Sequence, residues 1–190
     1  MTDIFDRALG VVLHHEGYAA FTDDPQDPGG PTKWGVSLRT LKSLPKLAGD
    51  IDRDGDVDIE DIKTLTRDDA VRLIYRPLWN RHKYDRITDA TIAIKAFDFT
   101  VNMGSRRYKI VRVGTRVSVG GSNVLLQWAV RAATGVVLVP DGYIGPKSIA
   151  AINAAPSRAL LAAYKSEAAG YYRSLNKERF IRGWLNRAYS

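Results

Sequence analysis

Near its start the sequence sets Glu16 after an apolar run and follows it with Asp23, Asp24 and Asp27 and then Thr32. Carboxyl groups so placed suit the cleavage of a bond between two sugars. That reaction needs a proton for the leaving oxygen and a second group, on the opposite face of the ring, to handle charge or water. The two groups must differ in surroundings. A carboxyl held against apolar neighbours keeps its proton near neutrality, whereas one in an open polar loop stays ionised. An aspartate ahead of Pro28-Gly29-Gly30 serves equally to build a turn with its own side-chain hydrogen bonds, so both readings of Asp27 stand at this stage. His14 and His15 have no companion pair at metal-ligand spacing and read as structural or exposed.

A second cluster points to a cation. Residues 50–61 follow the pattern of an EF-hand loop: Asp50, Asp52 and Asp54 hold the first, third and fifth places, and Gly55 supplies the sharp turn. Asp56 offers a backbone carbonyl, Val57 fills the apolar place, Asp58 acts through water, and Asp61 takes the last place, where a bidentate glutamate is usual. Seven carboxylates against Arg53 give this loop a formal charge of −6, while the rest of the chain carries +13. Ca²⁺ is therefore expected as a structural ion on Asp50, Asp52, Asp54, Asp56 and Asp61, ordering the loop and the helix after it without taking part in chemistry.

Holding Glu16 falls to a first helix over residues 3–14, where Ile4, Ala8, Val11 and Val12 recur at helical spacing and Gly17 releases the chain. Residues 17–35, dense in Gly, Pro and Asp, predict a long ordered loop or short hairpin. Helices are expected over 37–47, with Pro45 near the end, and over 59–79, with Pro77 closing the helix near Trp79. Further helices are expected over 88–103, 122–134 and 146–189, and the basic, valine-rich stretch 105–119 predicts a β excursion or an insertion between helices.

Glu16-Gly17-Tyr18, Asp27-Pro28-Gly29-Gly30, Thr32 and Trp34-Gly35-Val36 together resemble the signature of the muramidases grouped as glycoside hydrolase family 108. Tyr75-Arg76, Trp79 and residues 97–104 resemble the second half of that catalytic lobe. The family generally has a further glycine beside Gly17, which this chain lacks. The resemblance implies a mainly α, lysozyme-like α+β fold with a small hairpin or loop region after the catalytic helix. It implies Glu16 as general acid and Asp27 with Thr32 as the pair that positions a water, Asp24 being the alternative to Asp27. Tyr18, Trp34 and Trp79 offer rings on which sugars can stack, although buried aromatics are commoner. Asp98 and Asn102, four apart on one helix face, are the remaining expected substrate contacts.

Residues 122–150, with the turn Asp141-Gly142-Tyr143-Ile144-Gly145-Pro146, resemble the peptidoglycan-binding region that often follows such a lobe. The implied division is a catalytic lobe over 1–104, carrying the calcium loop, and a basic helical peptidoglycan-binding region over 105–190, packed on the first. The implied activity is that of a phage-type endolysin that cuts the bond between N-acetylmuramic acid and N-acetylglucosamine. A calcium-stabilised wall-binding protein without turnover is the alternative.

The absence of cysteine excludes disulfides, thiolate metal sites and cysteine nucleophiles. Charge is uneven: residues 1–100 hold 14 basic and 18 acidic side chains, residues 101–190 hold 14 and 3. Such a basic half attracts a polyanion. Arg173, Arg179, Arg182 and Arg187, interleaved with Tyr171, Tyr172, Phe180 and Trp184, suit an anionic wall polymer or lipid head groups. Nucleic acid is a third reading of that charge, but it is not the expected partner, and a monomer is expected. Asp3, Asp6 and Glu16 fall where a signal peptide would be basic and then apolar, so the expectation is synthesis in a host cytoplasm and release to the wall through a holin.

Overall fold

The computed structural model describes residues 3–24, 29–112 and 115–190, with only the backbone of residues 108–112 and 115–117. It is mainly helical. The described residues pack as two compact units, Leu9–Arg81 and Met1–Ala8 with His82–Ser190.

In the Leu9–Arg81 unit, α1 (Ile4–His15) buries Leu9, Val12 and Leu13. It stops where Gly17 and Tyr18 turn left-handed, with φ of 79° and 55°, and the Tyr18 N–H reaches back 2.9 Å to the Leu13 carbonyl. The predicted hairpin follows. Strand β1 (Thr32–Lys33) pairs antiparallel with β2 (Val36–Ser37), and Thr22 bridges Thr32 on its other side. Ser37 then caps α2 (Leu38–Lys42), accepting the Thr40 N–H on its hydroxyl. Pro45 separates α2 from α3 (Lys46–Gly49), so the helix expected over 37–47 is two short ones.

The helix expected over 59–79 is also divided. Asp58 caps α4 (Ile59–Thr64), and Thr66 starts α5 (Arg67–Ala70) with a reciprocal cap from Asp69. Pro77 does not end the next stretch. A π turn over Val71–Tyr75 precedes α6 (Arg76–His82), and its wider winding accommodates a residue that has no N–H to donate and whose ring would clash with the turn before it. Val36, Leu41, Ile62, Leu65, Tyr75 and Trp79 fill the interior of this unit.

In the other unit, Asp89 caps α7 (Ala90–Met103), its carboxylate accepting the Thr91 and Ile92 N–H groups at 2.8 and 3.1 Å. A hairpin of β3 (Arg107–Arg112) and β4 (Thr115–Gly120) occupies the predicted β excursion. It leads to α8 (Ser122–Thr134), α9 (Pro146–Ala154), α10 (Ser157–Ser174) and α11 (Glu178–Tyr189). The single helix expected over 146–189 is broken by Pro156 and by Asn176, which is left-handed at φ 50°. Helix α7 packs on α8 and α10, so by packing it groups with the helices that follow it and the compact units meet at 8/9 and 81/82. Phe99 meets Tyr164 edge-on at 5.1 Å, and Phe5 lies 6.0 Å from Phe97. A buried polar network links the Tyr84 hydroxyl to Thr100 and to Asn123 Oδ1, and burial pushes that phenol far above its ordinary pKa, so it stays neutral. Among the described residues no helix is long and apolar enough to cross a membrane.

Candidate active site

Glu16 is the first residue beyond α1, half-buried, its N–H bonded to the Val12 carbonyl at 2.9 Å. The β1–β2 hairpin turns directly against it. Trp34 and Gly35, the two turn residues, have φ of 54° and 70°, the pattern of a type I′ turn, in which both central positions are left-handed. A Cβ on Gly35 would run into the Tyr75 hydroxyl and come within 3.0 Å of the Glu16 Cβ and Cγ. Glycine is therefore required there twice over, by backbone angle and by space. Trp34 has no such freedom, and a left-handed bulky residue costs about 1–2 kcal/mol. Tyr75, almost fully buried at the end of the π turn, donates its hydroxyl to the Trp34 carbonyl at 2.6 Å and fixes the peptide that carries the strain.

In the sequence Tyr75 and Gly35 stand out only as members of a motif, with nothing that links one to the other. The signal for the turn was masked, since Trp-Gly replaces the usual Asn-Gly. Thr32 sits on β1, half-buried, with its hydroxyl bonded to the Gly30 carbonyl at 3.0 Å and its backbone paired with Thr22. Asp23 and Asp24 are exposed, and Asp27 lies outside the described residues. Tyr18 is 51% exposed, with its ring edge-on to His14, and Trp34 is half-buried. Trp79 is core, not a sugar platform.

Two expectations are corrected in the other unit. Asp98 has no exposed surface: its Oδ1 accepts Arg187 Nε and Nη2 at 3.0 and 2.8 Å, and Lys95 Nζ lies 3.6 Å from Oδ2. The helix face it shares with Asn102 looks into the protein at that level, so this carboxylate is a structural counter-ion and not a substrate contact. Arg187, paired with it, is equally withdrawn from any polymer-binding role, and Tyr171, Tyr172 and Trp184 are buried or half-buried, with Tyr172 stacked on Trp184 at 5.3 Å. Asn102, half-buried, accepts the Tyr172 hydroxyl at 2.7 Å and edges a hollow of about 250 Å³ with Arg107 and Trp184.

The acidic loop closes on itself. Ligand oxygens of Asp50, Asp52 and Asp54 lie within 4.8 Å of one another, and those of Asp56, Asp58 and Asp61 form a second such group. Asp50 Oδ2 accepts the Gly55 N–H at 3.1 Å, while its Oδ1 is buried and has no hydrogen-bond partner among the described residues. That orphaned oxygen, the neighbouring carboxylates and the hard oxygen donor set fit a calcium-sized cation. Asp61 is fully buried and accepts backbone N–H groups from Ile51, Asp52 and Asp58. Loss of hydration, then repulsion from Asp54, Asp61 and Asp50, pushes the Asp52 carboxyl above the usual range, against the Asp54 N–H that lowers it. Repulsion from Asp54, ahead of lost hydration and of Asp58 and Asp61, does the same for Asp56.

Residues 9–104 match the family described as glycosyl hydrolase 108, and residues 121–189 match a predicted peptidoglycan domain. Among solved structures, Brucella abortus SagA resembles this chain with a TM-score of 0.68 at 26% identity, over 97% of this chain and 88% of that one. None of the curated proteins matches the sequence.

Proposed function

Since the chain belongs to the glycosyl hydrolase 108 family, and so is a glycoside hydrolase that acts on peptidoglycan, we propose that Glu16 is the general acid that protonates the departing sugar. The bond cut is the β-1,4 link between N-acetylmuramic acid and N-acetylglucosamine. Thr32 and an aspartate of the loop before it, Asp27 or Asp24, hold the water or charge on the other face of the ring. Tyr18 and Trp34 are the rings against which the strand lies.

The observation that carries this reading is the strained turn fitted against the Glu16 stem. A left-handed tryptophan, a glycine with no room for a methyl and a buried tyrosine are all arranged around one carboxyl side chain. Strain of this kind gathers where a side chain must be held in one place. The acidic loop takes Ca²⁺ through Asp50, Asp52, Asp54, Asp56 and Asp61, and the ion has a structural role only. Release from a host cytoplasm through a holin, phage origin, a monomeric state and a hold on anionic wall polymers complete the proposal.

Glu16→Gln tests it. The amide keeps the shape and removes the transferable proton, so turnover of purified peptidoglycan should fall by about 10²–10⁴-fold while sedimentation with the wall persists. Mass spectrometry of the new reducing ends identifies the bond. Undiminished turnover by Glu16→Gln would remove Glu16 from the mechanism.

A further inference from the structure

After α8 the chain runs through residues 135–140 without regular secondary structure and leaves its apolar side chains outside the core. Val137 and Val139 are 71% and 74% exposed, and Tyr143 is 57% exposed. The backbone N–H groups of Val137, Leu138 and Val139 make no hydrogen bond to a described residue. Together with Pro146 these side chains wall a groove of about 530 Å³, with buried Gln127 and Ser148 among its lining. Gln127 cannot read a ligand. Its Nε2 donates to Asp141 Oδ1 at 2.9 Å and to the Tyr143 carbonyl at 3.2 Å, and its Oε1 accepts the Gly142 N–H at 2.8 Å.

Across Gly145 and Pro146 the groove adjoins a smaller hollow of about 220 Å³ edged by Lys83 and Arg86. A Cβ on Gly145 would lie 2.6 Å from Cε1 of Tyr143, so glycine is what lets that ring lie over the junction. Lys83 Nζ stands 5.5 Å from the centre of the same ring. Lys83, Arg86 and Lys147 form no ion pair with a described residue.

We propose that this groove binds the peptide stem of peptidoglycan, and not its glycan. The inference rests on peptidoglycan being the substrate. Branched aliphatic walls match alanine methyls and give a sugar a single ring to stack on. The Gln127 amide beneath them is saturated by Asp141, the Tyr143 carbonyl and the Gly142 N–H, so it is not free to sort hydroxyl groups. Unpaired N–H groups along 137–139 can donate to the carbonyls of a peptide laid beside them, in the manner of an added strand. The cations at the far end complement stem carboxylates, which a neutral N-acetylglucosamine chain lacks. A groove of this chemistry directs the enzyme to strands that still carry their peptides.

The test uses the full-length Glu16→Gln chain and amide NMR, with two probes: the synthetic tetrapeptide L-Ala-γ-D-Glu-meso-diaminopimelyl-D-Ala and chitotetraose. The tetrapeptide should shift the amides of residues 137–139 and Tyr143 in a saturable way. Arg86→Glu, at an exposed position, should weaken it about tenfold, the loss of one charge-assisted hydrogen bond, with Lys147→Glu as the second variant should Arg86→Glu alter the spectrum of the core. If chitotetraose moves these amides and the peptide does not, the groove is a glycan site and the inference is wrong. It is equally wrong if neither probe moves them. Neither result touches the role of Glu16, which is read from turnover.

Discussion

Asp98→Asn keeps the shape of a buried side chain and removes the charge that Arg187 and Lys95 share. Both cations are withdrawn from water, Arg187 at 8% and Lys95 at 6% exposure, and this carboxylate ties α11 to α7 alongside the Lys95 ammonium, which donates to the Arg187 carbonyl at 3.2 Å. Removing one partner of a buried ion pair typically costs about 3–5 kcal/mol, because the other charge stays desolvated. Against a total stability of about 5–15 kcal/mol that is a large fraction, and in a chain of this size it lowers Tm by about 10 °C. A pH signature accompanies the loss. Burial lowers the Lys95 pKa, and Asp98 works in the opposite direction, so without Asp98 the ammonium is depressed further. Between the lowered folded value and the ordinary lysine value the unfolded chain binds more protons, so stability rises with pH. Urea unfolding followed by near-ultraviolet circular dichroism at neutral and alkaline pH should show a loss that narrows toward alkaline pH. KM for peptidoglycan, measured on the folded fraction, should be unchanged. A raised KM with stability altered by less than about 1 kcal/mol would mean that Asp98 faces the substrate after all.

Gly35→Ala forces a methyl group into the Tyr75 hydroxyl at a left-handed position, so it should destabilise the chain by at least about 1–2 kcal/mol and lower kcat through displacement of Glu16; thermal melts and initial rates read both. Removing Ca²⁺ with EGTA should lower Tm, by the equivalent of about 2.7 kcal/mol relative to a calcium concentration one hundred times Kd; an unchanged Tm would dismiss the site. In EGTA the raised Asp52 and Asp56 values mean that the folded state binds more protons just above about pH 4, so stability should fall as pH rises through that window, and added Ca²⁺ should reverse the slope.

Periodicity located the apolar segments well and their breaks poorly. The patterns over 59–79 and 146–189 continue through Thr66, Pro156 and Asn176, because the helices on both sides of each break bury their apolar faces in the same unit. Pro77 misled in the other sense, since a π turn absorbs it. The position of Glu16 at a helix end was legible from Gly17, and the hairpin from the density of turn residues. The clamp on the hairpin was not, since Tyr75 is 41 positions from Trp34 and no local pattern announces the bond. Asp98 failed for a related reason: a spacing of four tells that two residues share a face and not which way it looks, and its partner Arg187 is 89 positions away. For the same reason the basic surplus of the second half is not all surface charge. Arg187 lies inside, and Lys165 is bonded to the Tyr189 and Ser190 carbonyls at 3.0 and 2.7 Å, closing α11.

The acidic loop and the hairpin look independent in sequence, one a metal motif and the other part of a catalytic signature, yet within the Leu9–Arg81 unit they share supports. Asp61 gathers the loop through its backbone N–H groups and, with Asp58, starts α4. Helix α4 packs on β1, and the Lys33 ammonium donates to the Lys63 carbonyl near its end. Lys33 immediately precedes Trp34, so the residue that anchors β1 to the helix also enters the turn held against Glu16. The cation proposed for this loop would therefore act on the same short helix that braces the hairpin. Six aspartates and a glutamate within twelve residues repel one another, and the helix they lead into is the one that packs on β1, so whatever relieves that repulsion steadies the strand that enters the turn against Glu16.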